Sequence, residues 1–212
     1  MNPQAPPSEL RTWIMRHLDP LEHGDAEAGY SDFDLGPGGR PSDPGPLTRA
    51  AVLVALVERA AGLSVILTRR SERLRSHTGQ IALPGGRRDP GETAWATALR
   101  EAHEEIGLDP DFVSLAGLST PYQTGSGYLI TPVVGFVRDG FSLTANADEV
   151  AEIFETPFGF LMDPANHEQR EGEWAGRRRR FYAMTHENRM IWGATAGILR
   201  ALYDRLYGAA VA

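Results

Sequence analysis

Three glutamates in one short segment, Glu101, Glu104 and Glu105, have a spacing that suits metal ligands. Intervals of three and four residues place side chains next to one another on a helix. Like charges held so close repel each other, and a helix built only for stability would alternate the sign of its charges. The cluster therefore indicates a counter-ion, and a hard divalent cation that prefers oxygen ligands is the natural one. The alternative is an acidic helix face that is simply solvated.

The surrounding residues predict the helix that this spacing requires. A glycine-rich turn ends at Gly91, and Thr93 is a good N-cap for a helix over residues 94–105. Gly107 then supplies the stop. The helical period turns four apolar residues towards the core and leaves two small ones beside the carboxylates: Trp95, Leu99, Ala102 and Ile106, with Ala94 and Ala98.

These residues fit one long spaced pattern. Its fixed positions are Gly86, Glu92 after five residues, Arg100 and Glu101 after seven more, then Glu104, Glu105 and Gly107. The segment resembles the Nudix box, and only Ala102 is smaller than the aliphatic residue that the family usually has there. The resemblance implies an α/β protein with the Nudix fold, a mixed β-sheet between α-helices in an α/β/α sandwich. It also implies hydrolysis of a nucleoside diphosphate linked to another moiety.

The resemblance further implies roles for the box residues. Glu101 and Glu105 would be the main ligands of Mg²⁺ or Mn²⁺, and Glu104 a third ligand or the base that deprotonates the attacking water. Arg100 would orient the carboxylates, although a helical ion pair with Glu104 is the plain alternative. Glu92 could reach Arg100 or the metal, or could simply place a favourable charge at the helix N-terminus.

An arginine-rich segment lies just before the box. It contains Arg69, Arg70, Arg73 and Arg75. A positive loop beside a carboxylate cluster suits a polyanionic substrate, because guanidinium groups bind phosphate oxygens in pairs. Arginines of a solvated loop are the alternative.

The same segment is similar to the motif upstream of the box in the coenzyme A pyrophosphatase subfamily. The matching residues are Leu67, Thr68, Arg70, Ser71, Arg75, Gly79, Pro84, Gly85 and Gly86, with Ile66 and Leu83 as replacements of similar character. The resemblance implies coenzyme A as the substrate, and adenosine 3′,5′-bisphosphate and 4′-phosphopantetheine as the products. It assigns substrate binding to Arg70, Arg75, Gly79, Gly85 and Gly86.

A further acid, Glu149, opens a segment that resembles the one by which this subfamily enters its next helix. The resemblance offers Glu149 as a catalytic residue, either a metal-proximal carboxylate or a base. An acid at a strand edge in water is the alternative.

Length and composition suit one domain with additions, because 212 residues with 42% hydrophobic side chains can bury a sizeable core. We expect an N-terminal helix and a Gly/Pro-rich arm at 1–48, the Nudix domain at 49–207 and a tail at 208–212. Local patterns predict a first helix capped by Ser8, strands at 50–57, 63–67, 112–118 and 128–137, a short helix at 158–162, a hairpin around the arginines of 177–180, and a closing helix at 192–207.

Several classes of function are excluded or disfavoured. The absence of cysteine excludes disulfides, thiolate zinc sites and a cysteine nucleophile, and the six histidines have no ligand spacing. A formal charge of −7 argues against nucleic-acid or anionic-membrane partners. No apolar run approaches the roughly 20 residues of a membrane span, and the N-terminus lacks a signal-peptide core. We expect a cytoplasmic monomer or homodimer that acts on a small molecule.

Two other functions stay open. One is a Nudix hydrolase for another substrate, such as ADP-ribose, a dinucleotide or a damaged nucleotide. The other is a nucleotide-sensing module that keeps the fold without turnover. A sensing module should have lost acids of the box, and here none is lost.

Overall fold

The computed structural model describes residues 1–23, 27, 29–31, 33–36, 39–40, 45–74, 77–174 and 177–208. The helices in these ranges are α1 (Pro7–His17), α2 (Ala94–Ile106), α3 (Phe158–Leu161) and α4 (Ala194–Tyr207). The strands are β1 (Tyr30–Ser31), β2 (Thr48–Arg59), β3 (Gly62–Arg70), β4 (Ile81–Ala82), β5 (Gly85–Arg87), β6 (Val113–Leu118), β7 (Tyr122–Gln123), β8 (Tyr128–Val137), β9 (Val150–Pro157), β10 (Glu168–Trp174), β11 (Arg177–His186) and β12 (Arg189–Trp192).

The main sheet is mixed, as the sequence predicts. Its strands follow the order β1-β7-β8-β2-β3-β4, with β5 also paired to β2, β6 to β8 and β9 to β3. The long central pair β2 and β8 runs parallel from Thr48 opposite Tyr128 to Val57 opposite Val137, and β1 is parallel to β7. The other pairs in this sheet are antiparallel. Strands β10, β11 and β12 form a second, antiparallel sheet, which contains the predicted arginine hairpin.

Helices cover both faces of the main sheet, so the predicted α/β/α layering is confirmed. Alternation along β2 explains this arrangement, because successive side chains of a strand point to opposite faces. Leu53 and Ala55 pack beneath α2, whereas Val54 and Leu56 pack with the buried residues of α1 and α4. Both faces of the strand are therefore apolar, which is typical of a strand buried on two sides.

Helix α2 begins and ends as predicted. The hydroxyl of Thr93 accepts a hydrogen bond from the Ala96 N–H at 3.2 Å, and Gly107 adopts the left-handed conformation at φ 66°. The N–H of Gly107 bonds to the His103 carbonyl at 2.9 Å, which closes the last turn.

The face that α2 buries differs from the predicted one. Ala94, Ala98, Ala102 and Ile106 are buried against the sheet, while Trp95 and Leu99 are only half-buried. The small alanines lie on the core side because they let the helix approach the strands closely. The predicted buried face contains the larger side chains of Trp95 and Leu99. The observed face is turned towards the alanines, which contact the sheet.

The N-terminal region shows one more difference. Helix α1 starts at Pro7 after Pro6, so Ser8 lies inside the helix and does not cap it. Leu10 and Ile14 are its buried residues. The arm contributes β1 to the edge of the main sheet, and the Tyr30 hydroxyl donates to Asp204 of α4 at 3.1 Å. The division into arm, Nudix domain and tail stays a prediction.

Candidate active site

Two glycines of β5 bring the box helix against the sheet. β5 pairs with β2, so that Gly85 lies opposite Val52 and Gly86 opposite Ala51. A Cβ on Gly86 would lie 2.5 Å from the carboxylate of Glu101, and a Cβ on Gly85 would lie 2.3 Å from the Ala51 carbonyl oxygen. Gly85 therefore has no room for a side chain, because backbone atoms of β2 lie against it, whereas the crowding at Gly86 comes from the end of the Glu101 side chain.

Glu105 is the buried carboxylate of this contact, with 4% of the residue exposed. It accepts a hydrogen bond from the Gly85 N–H at 3.1 Å, and Arg70 Nη1 lies 4.0 Å from its Oε1. Burial raises the pKa of Glu105 to about 7, although the Gly85 hydrogen bond and the Arg70 charge oppose the shift. The charges of Glu101 and Glu149 add to the shift.

Arg100 joins the other acids of the box. Its Nη1 lies 2.9 Å from both Glu101 Oε1 and Glu104 Oε2, so the plain ion pair with Glu104 exists within a larger group. Its Nη2 donates to the Arg87 carbonyl at 3.2 Å. Burial raises the pKa of Glu101 and Arg100 opposes that shift, whereas the side chain of Glu104 is 52% exposed.

Glu92 faces Arg100, which decides between the contacts predicted for it. Its two oxygens accept from Arg100 Nε at 2.8 Å and Nη2 at 3.0 Å. The same carboxylate accepts from the Thr97 hydroxyl at 2.8 Å and from the Asp89 N–H at 3.0 Å. These hydrogen bonds, above all those from Arg100, lower the pKa of Glu92 to about 2. The sequence analysis assigns no role to Thr97. Its position five residues after Glu92, on the buried side of the helix, could have indicated a hydrogen bond to Glu92.

The arginine-rich segment that starts at Arg69, here called the arginine loop, begins beside the acids of the box. Arg70 closes the loop through its backbone, since its N–H bonds to the Gln80 carbonyl at 2.9 Å and its carbonyl accepts from the Gly79 N–H at 3.1 Å. Gly79 is left-handed at φ 68° and turns the chain back. The Nε of Arg70 is buried without a hydrogen-bond partner in the described chain. Arg75, the other arginine assigned to substrate, lies outside the described residues.

The turn that precedes β9 places the backbone of Glu149 next to Ser71, the residue after Arg70. The Glu149 carbonyl accepts from the Ser71 N–H at 2.8 Å, and its N–H bonds to the Asn146 carbonyl at 2.9 Å. Glu101 and Glu105 thus lie against β5, at Gly86 and Gly85, and Arg70 lies close to Glu105. A backbone hydrogen bond ties Glu149 to Ser71, the residue after Arg70. The arginine hairpin has its own acidic partner, because Arg180 pairs with Glu171 at 2.7 Å.

Comparison with known proteins agrees with this geometry. A model of the NUDIX domain matches residues 47–178. A protein of Photorhabdus laumondii named uncharacterized Nudix hydrolase NudL is 40% identical over 158 residues, which are 74% of this chain and 84% of the relative. A protein of the same name from Yersinia pestis is 39% identical over 159 residues, 74% of this chain and 79% of the relative.

The chain belongs to the Nudix family and is a Nudix hydrolase, a class of enzymes that split nucleoside diphosphate derivatives. Among solved structures, a Caenorhabditis elegans Ap4A hydrolase complex is similar with a TM-score of 0.45 and 20% identity, covering 50% of this chain and 77% of that one. The family assignment does not depend on that likeness. Of the helices in the described ranges, none is both long enough and apolar enough to cross a membrane.

Nudix hydrolases generally use divalent metal ions such as Mg²⁺ or Mn²⁺, and the donor set of this site fits them. Within the described ranges, no three acidic or histidine side chains form a ready-made cage. Mg²⁺ does not need one, because it is commonly held by one or two carboxylates together with water and substrate phosphates. Glu101 and Glu105 are oxygen donors whose burial disfavours their charge, so a nearby cation would stabilise both.

Glu92→Gln should remove a contribution to the free energy of unfolding that the wild type itself loses at acid pH. The folded chain lowers the pKa of Glu92 from 4.5 to about 2, so its charged form stabilises the fold above pH 4.5. That contribution is lost as the pH falls from 4.5 towards 2. We expect the wild type to lose its advantage in free energy of unfolding over Glu92→Gln across this window, measured by denaturant titration at stepped pH.

Glu9→Gln, an exposed change of the same kind in α1, is the matched control. Because the Glu9 side chain has no hydrogen bond or ion pair among the described residues, the control's difference from the wild type should change less across that range than that of Glu92→Gln. An advantage over Glu92→Gln that does not change with pH would contradict the assignment of Glu92 as the partner that holds Arg100.

Proposed function

We propose that this enzyme hydrolyses the pyrophosphate bond of coenzyme A, and the placement of Arg70 is the observation that best supports this proposal. Its guanidinium lies 4.0 Å from the buried Glu105 carboxylate, and its buried Nε–H has no hydrogen-bond partner among the described residues. Arg70 also belongs to the segment that is similar to the coenzyme A pyrophosphatase motif. An unused donor beside carboxylates suits a phosphate oxygen, because a phosphate accepts hydrogen bonds and balances the guanidinium charge.

The proposed roles follow from exposure and contacts. A divalent cation, when bound, neutralises the charge of the diphosphate and lowers the pKa of the attacking water. Glu101 and Glu105 would hold it, and Arg100 fixes the rotamers of Glu101 and Glu104. The exposed Glu104 carboxylate accepts a proton from the water, while Arg70 orients the phosphate. The water oxygen forms a bond to one phosphorus atom, the bond between that phosphorus and the bridging oxygen breaks, and the other phosphate leaves as a phosphomonoester that keeps the bridging oxygen.

Glu149 is proposed as a further metal-proximal carboxylate or as the base. Its influence on the pKa of both Glu101 and Glu105 supports this place. Gly79, Gly85 and Gly86 contribute through the backbone, by closing the arginine loop and by admitting the acids to β5. A cytoplasmic location and a monomeric or homodimeric state stay predictions.

Product analysis tests the substrate. The purified chain is incubated with Mg²⁺ and, separately, with coenzyme A, an acyl-coenzyme A, ADP-ribose and a dinucleoside polyphosphate, and the products are separated by chromatography. We expect adenosine 3′,5′-bisphosphate and 4′-phosphopantetheine to form fastest, from coenzyme A. Faster cleavage of ADP-ribose or of the dinucleotide would assign the chain to another Nudix substrate.

Glu104→Gln and Glu105→Gln should each lower kcat by about 10²- to 10⁴-fold, since each removes a carboxylate charge without changing side-chain size. The thermal midpoint should change little, and steady-state kinetics with Mg²⁺ measures both effects. Glu168→Gln on the exposed strand β10 is the control and should retain full turnover. Full turnover in both box variants would refute the roles given to these acids.

Arg70→Ala and Arg75→Ala should raise KM for coenzyme A more than they change the thermal midpoint, because they remove phosphate contacts rather than core packing. A rise in KM of about tenfold corresponds to the loss of one charged hydrogen bond. Arg170→Ala in β10 is the matched control, since Arg170 pairs only with nearby surface groups. A level KM together with a large fall in the midpoint would identify the two arginines as structural.

A further inference from the structure

The segment 144–149 is bound to the end of the box helix. The Thr144 N–H donates to the Ile106 carbonyl at 2.8 Å, and the Asn146 N–H donates to the Glu105 carbonyl at 2.9 Å. The last carbonyls of a helix have no partner within the helix, so this segment satisfies two of them. The backbone of Glu105 is therefore tied directly to Asn146.

Asn146 then forms a tight turn. Its carbonyl accepts from the Glu149 N–H at 2.9 Å and from the Val150 N–H at 2.8 Å. Its side-chain Oδ1 accepts from the Asp148 N–H at 3.3 Å, which is the bond of an Asx turn. The turn delivers Glu149 to the start of β9.

The other side of the turn is bound to the arginine loop. The Ser71 N–H donates to the Glu149 carbonyl at 2.8 Å, and the Ser71 hydroxyl donates to the Ala147 carbonyl at 3.3 Å. Ser71 directly follows Arg70, whose guanidinium returns to Glu105 at 4.0 Å. The contacts thus close a ring through Glu105, Asn146, Glu149, Ser71 and Arg70.

We propose that the turn 144–149 is a positioning element of the active site, and that Asn146 is the residue that sets the place of Glu149 relative to Glu105. This inference rests on the proposed diphosphate hydrolysis. Asn146 touches neither substrate nor metal and acts only through the two acids. Its position matters because displacements of an ångström in a catalytic group cost far more rate than stability.

The test compares Asn146→Ala with Asn146→Asp. Alanine removes the acceptor of the Asx turn, whereas aspartate keeps an oxygen at the same place. Asn166→Ala is the matched control, because it also deletes an asparagine hydrogen bond, from Nδ2 to the Phe160 carbonyl at 2.9 Å, but far along the chain from the acids. Each protein is assayed for kcat, KM and thermal midpoint, and for Mn²⁺ affinity from the electron paramagnetic resonance signal of the free ion.

We expect Asn146→Ala to lower kcat by about tenfold with KM within about twofold of the wild type, and to weaken Mn²⁺ binding. Asn146→Asp should recover most of kcat. Asn166→Ala should lower the thermal midpoint without changing kcat or Mn²⁺ affinity.

A loss of midpoint alone in Asn146→Ala, or no recovery in Asn146→Asp, would overturn the inference. If the wild type cleaved none of the diphosphate compounds, the proposed function would fail instead. Mn²⁺ binding would then still decide the positioning role, since equal affinity in the wild type and Asn146→Ala refutes it.

Discussion

The carboxylate of Glu105 is buried between the box helix and the sheet, and the arrangement of the residues around it depends on that burial. Burying a charged group is costly unless hydrogen bonds and opposite charge compensate. Here the compensation is small, consisting of one backbone N–H at 3.1 Å and one guanidinium at 4.0 Å. The protein alone therefore stabilises the anionic form of Glu105 poorly. This property is expected of a carboxylate that binds a cation.

The close approach of α2 to β5 places that carboxylate. Gly85 on β5 and the alanines on α2 leave the space, since a Cβ on Gly85 would collide with the backbone of β2, and the end of the Glu101 side chain lies against Gly86. Around this contact the charges are arranged with one guanidinium, that of Arg100, shared among Glu92, Glu101 and Glu104. The hydrogen bonds of Glu92 lower its pKa to about 2, so Glu92 stays ionised and anchors Arg100, which also contacts Glu101 and Glu104.

The sequence was sufficient for the box helix, because N-cap, helix formers and C-terminal glycine all agree locally, and the predicted 94–105 became Ala94–Ile106. It was also sufficient for the mixed sheet and the Nudix family. It was insufficient for the buried face of α2, because Trp95 and Leu99 are larger than the alanines that the close packing selects. The pattern also predicts Ser8 as a cap, but Pro6 and Pro7 precede it, and a proline at the first helical position starts the helix without a side-chain cap.

Other features have no sequence signal that could have revealed them. The ring through Asn146 and Ser71 combines backbone hydrogen bonds with side-chain bonds from both residues, and it joins segments far apart in the sequence, so no local pattern encodes which segments meet. The distance between Arg70 and Glu105 depends on how β3 and α2 pack, and no local pattern encodes it. The roles of the site residues and the choice of coenzyme A therefore stay predictions of the resemblance.

The parallel pairing of β2 with β8 has a consequence for how the molecule is made. Parallel neighbours cannot be joined by a tight turn, so the chain between them must form a long crossover. That crossover contains the arginine loop, β5 and the whole of α2. Closing so long a loop is entropically expensive and slow compared with forming a hairpin. The acids of the box lie within this crossover, so we expect them to reach their places late in folding, when the two central strands pair.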